Sequence, residues 1–254
     1  MNHYAFLSLH NQEQVAIVTL RRGITNAVHQ EMINELSNVF HHIKEDVNTH
    51  ALVLTSANEK FFSIGFDVPT LYEISKEDFS TYYKSFNQLW LDLFTIPKPT
   101  FASITGHATG AGCIFTLCCD YRIIAEGRKL MSLPEINLGV PVPHIADCIL
   151  RELVGIRYSR EIMDTGALYN PQQLLSMGMV DEIVPAAKIL PHCTEKAIFM
   201  SNQPELAFQM IKKNRTELLE SQIRKHRVKK EQYFIECWHS ETARLLLKKA
   251  IAKF

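Results

Sequence analysis

No window of about 18 apolar residues occurs anywhere in the 254-residue chain, so the sequence holds no candidate for a helix crossing a membrane. The opening stretch MNHYAFLSLHNQEQ has neither a basic segment leading into an apolar run nor an Arg- and Ser-rich amphipathic pattern, the two signatures of secretion and organelle import. A soluble, untargeted chain in the cytoplasm is the expectation. The terminal AKF is only faintly similar to a peroxisomal address, which leaves that compartment open. None of the six cysteines, Cys113, Cys118, Cys119, Cys148, Cys193 and Cys237, stands in CxxC spacing. They read as reduced packing residues, and neither a disulfide framework nor a metal site is expected.

Net charge is also absent, but the zero hides an asymmetry. Residues 205–254 carry 12 Lys and Arg against 6 Asp and Glu, so the tail is basic and the body acidic. The stretch RKHRVKK (224–230) fits a polyanion patch or the solvated face of a helix, and the helix face is the reading carried forward; nucleic acid is not an expected partner.

What is present is an alternation of two periodicities. QVAIVTL (14–20), ALVLTS (51–56), TFASI (100–104) and DYRIIA (120–125) are short apolar runs with β-branched residues. Between the first two, Met32, Ile33, Leu36, Val39, Phe40 and Ile43 recur at helical spacing, and a polar-aromatic helix is expected over 76–94. Strands alternating with helices predict an α/β fold with parallel pairing. After GMVDEIVP (178–185) the strand signal stops. The sequence divides into a core over 1–195 and a helical region over 196–254, broken near SNQPE (201–205) and WHSE (238–241). Ala243, Leu246, Leu247, Ala250 and Ile251 form an amphipathic stripe that needs a surface, either its own core or a neighbouring subunit.

Three segments bring backbone and small residues together next to strands: KFFSIGFD (60–67), ITGHATGAGC (104–113) and SLPEINLGVPVP (132–143). Glu135 is a lone carboxylate among Leu133, Pro134, Ile136 and Leu138, and apolar surroundings raise a carboxyl pKa toward neutrality, where the group both accepts and returns a proton. In this order, with LRRGITNAV before them, CDYRI after the glycine turn and GMVDEIV closing the core, the three segments resemble the enoyl-CoA hydratase/isomerase (crotonase) superfamily over nearly the whole chain.

The resemblance implies a crotonase-like spiral of repeated ββα units with a C-terminal helical oligomerisation region, assembled as a homotrimer or hexamer. It implies acyl-CoA substrates, with coenzyme A entering as part of the substrate and no separate cofactor. By motif match the thioester oxygen would lie between the backbone N–H groups of Ile64 and Ala111, the latter at a helix N-terminus. Glu135 matches the family's acid/base glutamate. Phe62, Gly65, Phe66, Asp67, Ile114 and Pro134 would border the substrate, with Trp90 and Phe94 as further candidates for an apolar tunnel, and Lys249 and Lys253 could reach the CoA phosphates.

Hydratases of this family carry a second glutamate two residues after the last glycine of the turn, and that position is Ile114. One base beside an apolar wall suits moving a double bond from C3 to C2, the Δ3,Δ2-enoyl-CoA isomerase reaction of unsaturated fatty acid β-oxidation. A hydratase or hydrolase of the same fold, and a non-enzymatic scaffold binding RNA or a partner, are the alternatives. His107 and His144 read as structural histidines, and Cys113 has no base beside it for covalent chemistry.

Overall fold

The computed structural model describes residues 4–252. Nine strands run β1 (Leu7–Gln12), β2 (Val15–Leu20), β3 (Ala51–Ser56), β4 (Phe61–Ser63), β5 (Thr100–Ile104), β6 (His107–Thr109), β7 (Tyr121–Ala125), β8 (Met131–Ser132) and β9 (Glu182–Val184). The helices among them are α1 (Gln30–Glu45), α2 (Val68–Glu73), α3 (Lys76–Thr95), α4 (Ala111–Leu117), α5 (His144–Thr165) and α6 (Pro171–Met177), followed by α7 (Ile189–Ser201), α8 (Glu205–Trp238) and α9 (Glu241–Ile251).

A six-stranded sheet has the order β1-β2-β3-β5-β7-β9, and a second sheet the order β4-β6-β8. Only β1 is antiparallel to its neighbour. The pairs β3/β4, β5/β6 and β7/β8 each place one strand in each sheet before a helix returns the chain, so each ββα turn adds one step to both sheets. This is the α/β crotonase-type architecture expected from the sequence.

The large sheet is buried on both faces, as a parallel sheet requires. Leu52, Leu54, Ala102 and Ile124 face the main core with α1 and α3, whereas Val53, Phe101 and Ile123 face Ile189, Cys193 and Ala197 of α7. The expected boundary at residue 196 therefore falls inside α7, a helix packed on the sheet. Beyond it, α8 packs along α3 and α5, and α9 packs on α2 and on the 3₁₀ turn Glu135–Leu138. Of the two surfaces considered for the amphipathic stripe, α9 buries Ala243 and Leu247 against its own chain. Arg244 locks it there, with its guanidinium 3.4 Å over the Tyr72 ring and donating to the Tyr72 carbonyl at 2.8 Å.

The basic stretch 224–230 lies within α8. Arg224 pairs with Glu220, while Arg227 pairs with Glu231 and also donates to Gln88 and to the Lys84 carbonyl. Among the described residues no helix is long and apolar enough to cross a membrane.

Candidate active site

The first wall of the site is the loop after β4. Asn26, with φ 47°, is fully buried and acts as a staple: its Nδ2 donates to Ser56 Oγ at 2.8 Å and to the Phe62 carbonyl at 3.0 Å. Ser63 Oγ then donates to the Asn26 carbonyl at 2.8 Å and accepts from Gly65 N–H at 3.1 Å. These bonds explain the NAV motif as a brace for the SIGFD loop. Asp67 is likewise structural. It caps α2 by accepting from Thr70 N–H and pairs with Arg22 at 2.6 Å.

Gly65 has φ 91°, and a Cβ on it would lie 2.7 Å from Ala111 N and 2.8 Å from Thr109 O. The loop and the helix start touch backbone to backbone there. Gly65→Ala forces that contact apart, and we expect a drop in kcat/KM of about a hundredfold with the fold retained by circular dichroism, because small displacements of a positioning group are that costly.

The second wall is the glycine turn. Gly110, with φ 53°, precedes α4, and its N–H donates to the Ser132 carbonyl at 3.0 Å, tying the second segment to the third. A Cβ on Gly112 would meet Ser63 O at 2.1 Å, so the second segment also presses on the first. The Ala111 N–H, at the first position of α4, has no hydrogen-bond acceptor among the described residues. The Ile64 N–H does not stand free beside it: it donates to the Thr25 carbonyl at 3.0 Å, because the braced 25–28 segment runs alongside this loop.

Glu135 opens the 3₁₀ turn that forms the third wall, held by Val140 N–H donating to its own carbonyl at 3.2 Å. Its side chain is buried, with Oε1 3.7 Å from where a Cβ on Gly110 would stand and Oε2 without any partner. The carboxyl therefore lies in ordinary contact with the glycine turn, where the positive φ of Gly110, rather than lack of space, favours glycine. Burial pushes the Glu135 carboxyl up to about 8, and a hydrogen bond from its own backbone N–H offsets only part of that rise.

A cavity joins these walls. Ile64, Phe66, Gly110, Ala111, Ile114, Pro134 and Glu135 line it, and Glu135 is the one ionisable side chain among its described lining residues. Phe62 does not line it. That ring points from β4 into the main core with no exposed surface, and Phe94 also lies outside the lining. Trp90 does reach the cavity from α3. Phe234 and Trp238, from the end of α8, complete the wall, as do Val68, Leu138, Val140 and Pro143. In the sequence WHSE marks a helix break, and the aromatic pair four residues apart beside it is the signal for this wall.

The remaining candidates separate from the chemistry. His107 Nδ1 accepts from Leu130 N–H at 2.9 Å, and His144 lies beside Cys148 and His226, outside the cavity lining. Burial drives the Cys113 thiol far above its ordinary range, which makes it inert. Lys249 is exposed near the end of α9, and Lys253 lies outside the described residues.

The sequence profile of the enoyl-CoA hydratase/isomerase family matches residues 10–254. The chain belongs to that family. Among individual relatives it is 30% identical over 176 residues to mitochondrial enoyl-CoA delta isomerase 1 of Mus musculus, a match covering 69% of this chain and 61% of the mouse protein. The human counterpart is 28% identical, with 58% of its length covered. Crotonyl-CoA hydratase of Syntrophomonas wolfei is 24% identical, over 87% of this chain and 85% of the hydratase. Of solved structures, human mitochondrial delta3-delta2-enoyl-CoA isomerase superposes with a TM-score of 0.93 at 24% identity, covering 98% of both chains. Family and fold are therefore common ground between isomerases and hydratases.

Proposed function

We infer that the protein is a Δ3,Δ2-enoyl-CoA isomerase of unsaturated fatty acid degradation. The observation that carries this reading is a single buried carboxyl, Glu135, in a cavity where Ile114 occupies the place of a second acid. Ionised Glu135 takes a proton from C2 of a 3-enoyl-CoA, and the electron pair spreads over the thioester as a dienolate. The Ala111 N–H, free and at the start of α4, receives the charge developing on the thioester oxygen; such a donor lowers the barrier by about 3 kcal/mol. The Ile64 N–H joins it by sharing or giving up the Thr25 carbonyl. Protonated Glu135 then delivers the same proton to C4, leaving the double bond between C2 and C3. Without a second carboxylate to activate water, and with Ile114 and Phe66 lining the site, hydration has no base of its own.

A base with its pKa near 8 dictates a pH profile. Only about a tenth of Glu135 is ionised at pH 7, so kcat/KM should rise about tenfold per pH unit up to about pH 8 and level off above it. A profile flat from pH 6 to 9 would remove Glu135 as the base. The direct test incubates the protein with 3-hexenoyl-CoA, following conjugated 2-enoyl-CoA by ultraviolet absorbance and 3-hydroxyacyl-CoA by chromatography. Conjugation without hydroxylated product is expected; hydroxylated product would make the protein a hydratase.

Self-association belongs to the same reading. Leu206, Met210, Ile211 and Leu218 stand exposed along α8, which supports a trimer or hexamer that light scattering can read.

A further inference from the structure

The first turns of α5 carry His144, Asp147 and Cys148. Residues at i, i+3 and i+4 share one face of a helix, and i to i+4 is the spacing at which a helix presents two side chains to a single metal ion. One ligand atom from each of the three lies within 4.8 Å of those of the other two. Cys148 Sγ stands 3.6 Å from His144 Nδ1 and 3.7 Å from His144 Nε2. A zinc–sulfur bond of about 2.3 Å and a zinc–nitrogen bond of about 2.0–2.1 Å meeting at a tetrahedral angle would put sulfur and nitrogen about 3.6 Å apart. Asp147 is already oriented, because Arg151 donates to its Oδ2 at 2.7 Å, in the way that outer partners hold a ligating carboxylate.

A fourth donor comes from another helix. His226, exposed on α8, has its ring centroid 6.1 Å from that of His144, with the two planes at 81°. Two imidazoles on one zinc ion would have centroids roughly 5 Å apart, so a turn of the exposed His226 side chain brings its nitrogen into range. His144 and Asp147 also line a surface cavity, which gives an ion its path in; the exposed Lys230 in that lining repels a cation, and Asp164 in the same lining offsets it.

We propose that His144, Asp147, Cys148 and His226 form a site for a divalent cation that takes thiolate and imidazole ligands, zinc above all. Magnesium and calcium, which require oxygen ligands, do not suit this donor set. On binding, the Cys148 thiol gives its proton to solvent and the sulfur electron pair forms the bond to the metal; one thiolate, one carboxylate and two neutral imidazoles then balance the charge of the dication. The absence of CxxC spacing has no bearing on such a site, because only one of its four ligands is a cysteine. The ion would clip α5 to α8. His226 lies about two turns before Phe234, so the clip steadies the helix that carries that ring to the catalytic cavity. Neither the site nor its test depends on the acyl-CoA reading.

Reduced protein stripped with a chelator is titrated with Co²⁺, and then with Zn²⁺ in competition with a chromophoric chelator. Cobalt should give a thiolate-to-metal charge-transfer band together with the intense d–d bands of a tetrahedral site, and zinc should bind with a Kd of about 1 µM or below. Cys148→Ser should abolish the charge-transfer band. His226→Ala, at an exposed position, should weaken zinc binding about a hundredfold with the fold retained by circular dichroism. A wild-type zinc Kd above about 100 µM, a cobalt spectrum without the charge-transfer band, or wild-type zinc affinity in either variant overturns the proposal.

Discussion

Glu135→Gln should lower the rate of 3-hexenoyl-CoA isomerisation about a thousandfold and, in the same protein, raise stability at alkaline pH. The first effect follows from removing a base for which the cavity has no substitute, and general-base contributions are typically of that order. The second follows from where the carboxyl sits. Its folded pKa of about 8 lies above the ordinary value of 4.5, so the folded state holds this proton more tightly than the unfolded chain does. The stabilising effect of that proton is complete below about pH 4.5 and is lost as pH rises toward 8. Between pH 6 and pH 9 this group alone costs the wild type about 3 kcal/mol. Glutamine keeps the shape and cannot ionise, so the difference in Tm between variant and wild type should grow by about 6 to 12 °C over that interval. A difference constant with pH would mean that Glu135 titrates like an exposed carboxylate, and the proton shuttle would fall with it. Losing activity while gaining alkaline stability separates a functional group held at a cost from a group that merely supports the fold.

Much of this arrangement was readable in the sequence, for physical reasons that differ from segment to segment. ALVLTS and TFASI become β3 and β5 with the expected bounds, because a strand buried on both faces needs an unbroken apolar run. The helix expected over 76–94 is found at Lys76–Thr95, and the breaks near 201–205 and 238–241 separate α7, α8 and α9 as anticipated. LSLHNQ was not legible as β1, since an edge strand exposing His10, Asn11 and Gln12 carries little apolar signal. The short strands of the second sheet, two or three residues each, fall below any periodicity.

At the site, Glu135 and the glycine turn could be located because chemistry fixes their local pattern. Phe234 and Trp238 could not, because they reach the cavity only when α8 folds back across α3, an event decided by packing over more than a hundred residues of chain. The Ile64 N–H illustrates the same limit: a motif names the donor, but only the fold shows that Thr25 already occupies it.

Asp120→Ala should be the most damaging substitution away from the site, costing about 3 to 5 kcal/mol of folding stability. Asp120 precedes β7 and is the hub of a buried network. Its Oδ2 accepts from Thr100 N–H at 2.9 Å, from Thr100 Oγ1 at 3.0 Å and from Lys212 Nζ at 2.7 Å, while Oδ1 accepts from Arg215 at 2.6 Å. The side chains of Asp120 and Lys212 retain only 7% and 3% of their exposure, so the cost of deletion lies less in the lost attraction than in the ammonium left dry. Lys212 Nζ would keep only the Lys98 carbonyl at 3.1 Å and a long contact to Thr100. The double variant supplies an internal control. Lys212→Met, in the Asp120→Ala background, removes the stranded charge and should restore part of the loss, whereas two independent defects would add. Urea unfolding of the two single variants and the double variant measures this directly, and simple additivity would show that the pair is not coupled. Since the network joins α8 to the start of β5 and β7, its rupture should also loosen the helix that carries Phe234 and Trp238 to the cavity, and activity should fall with stability in the Asp120 variant and recover with it in the double.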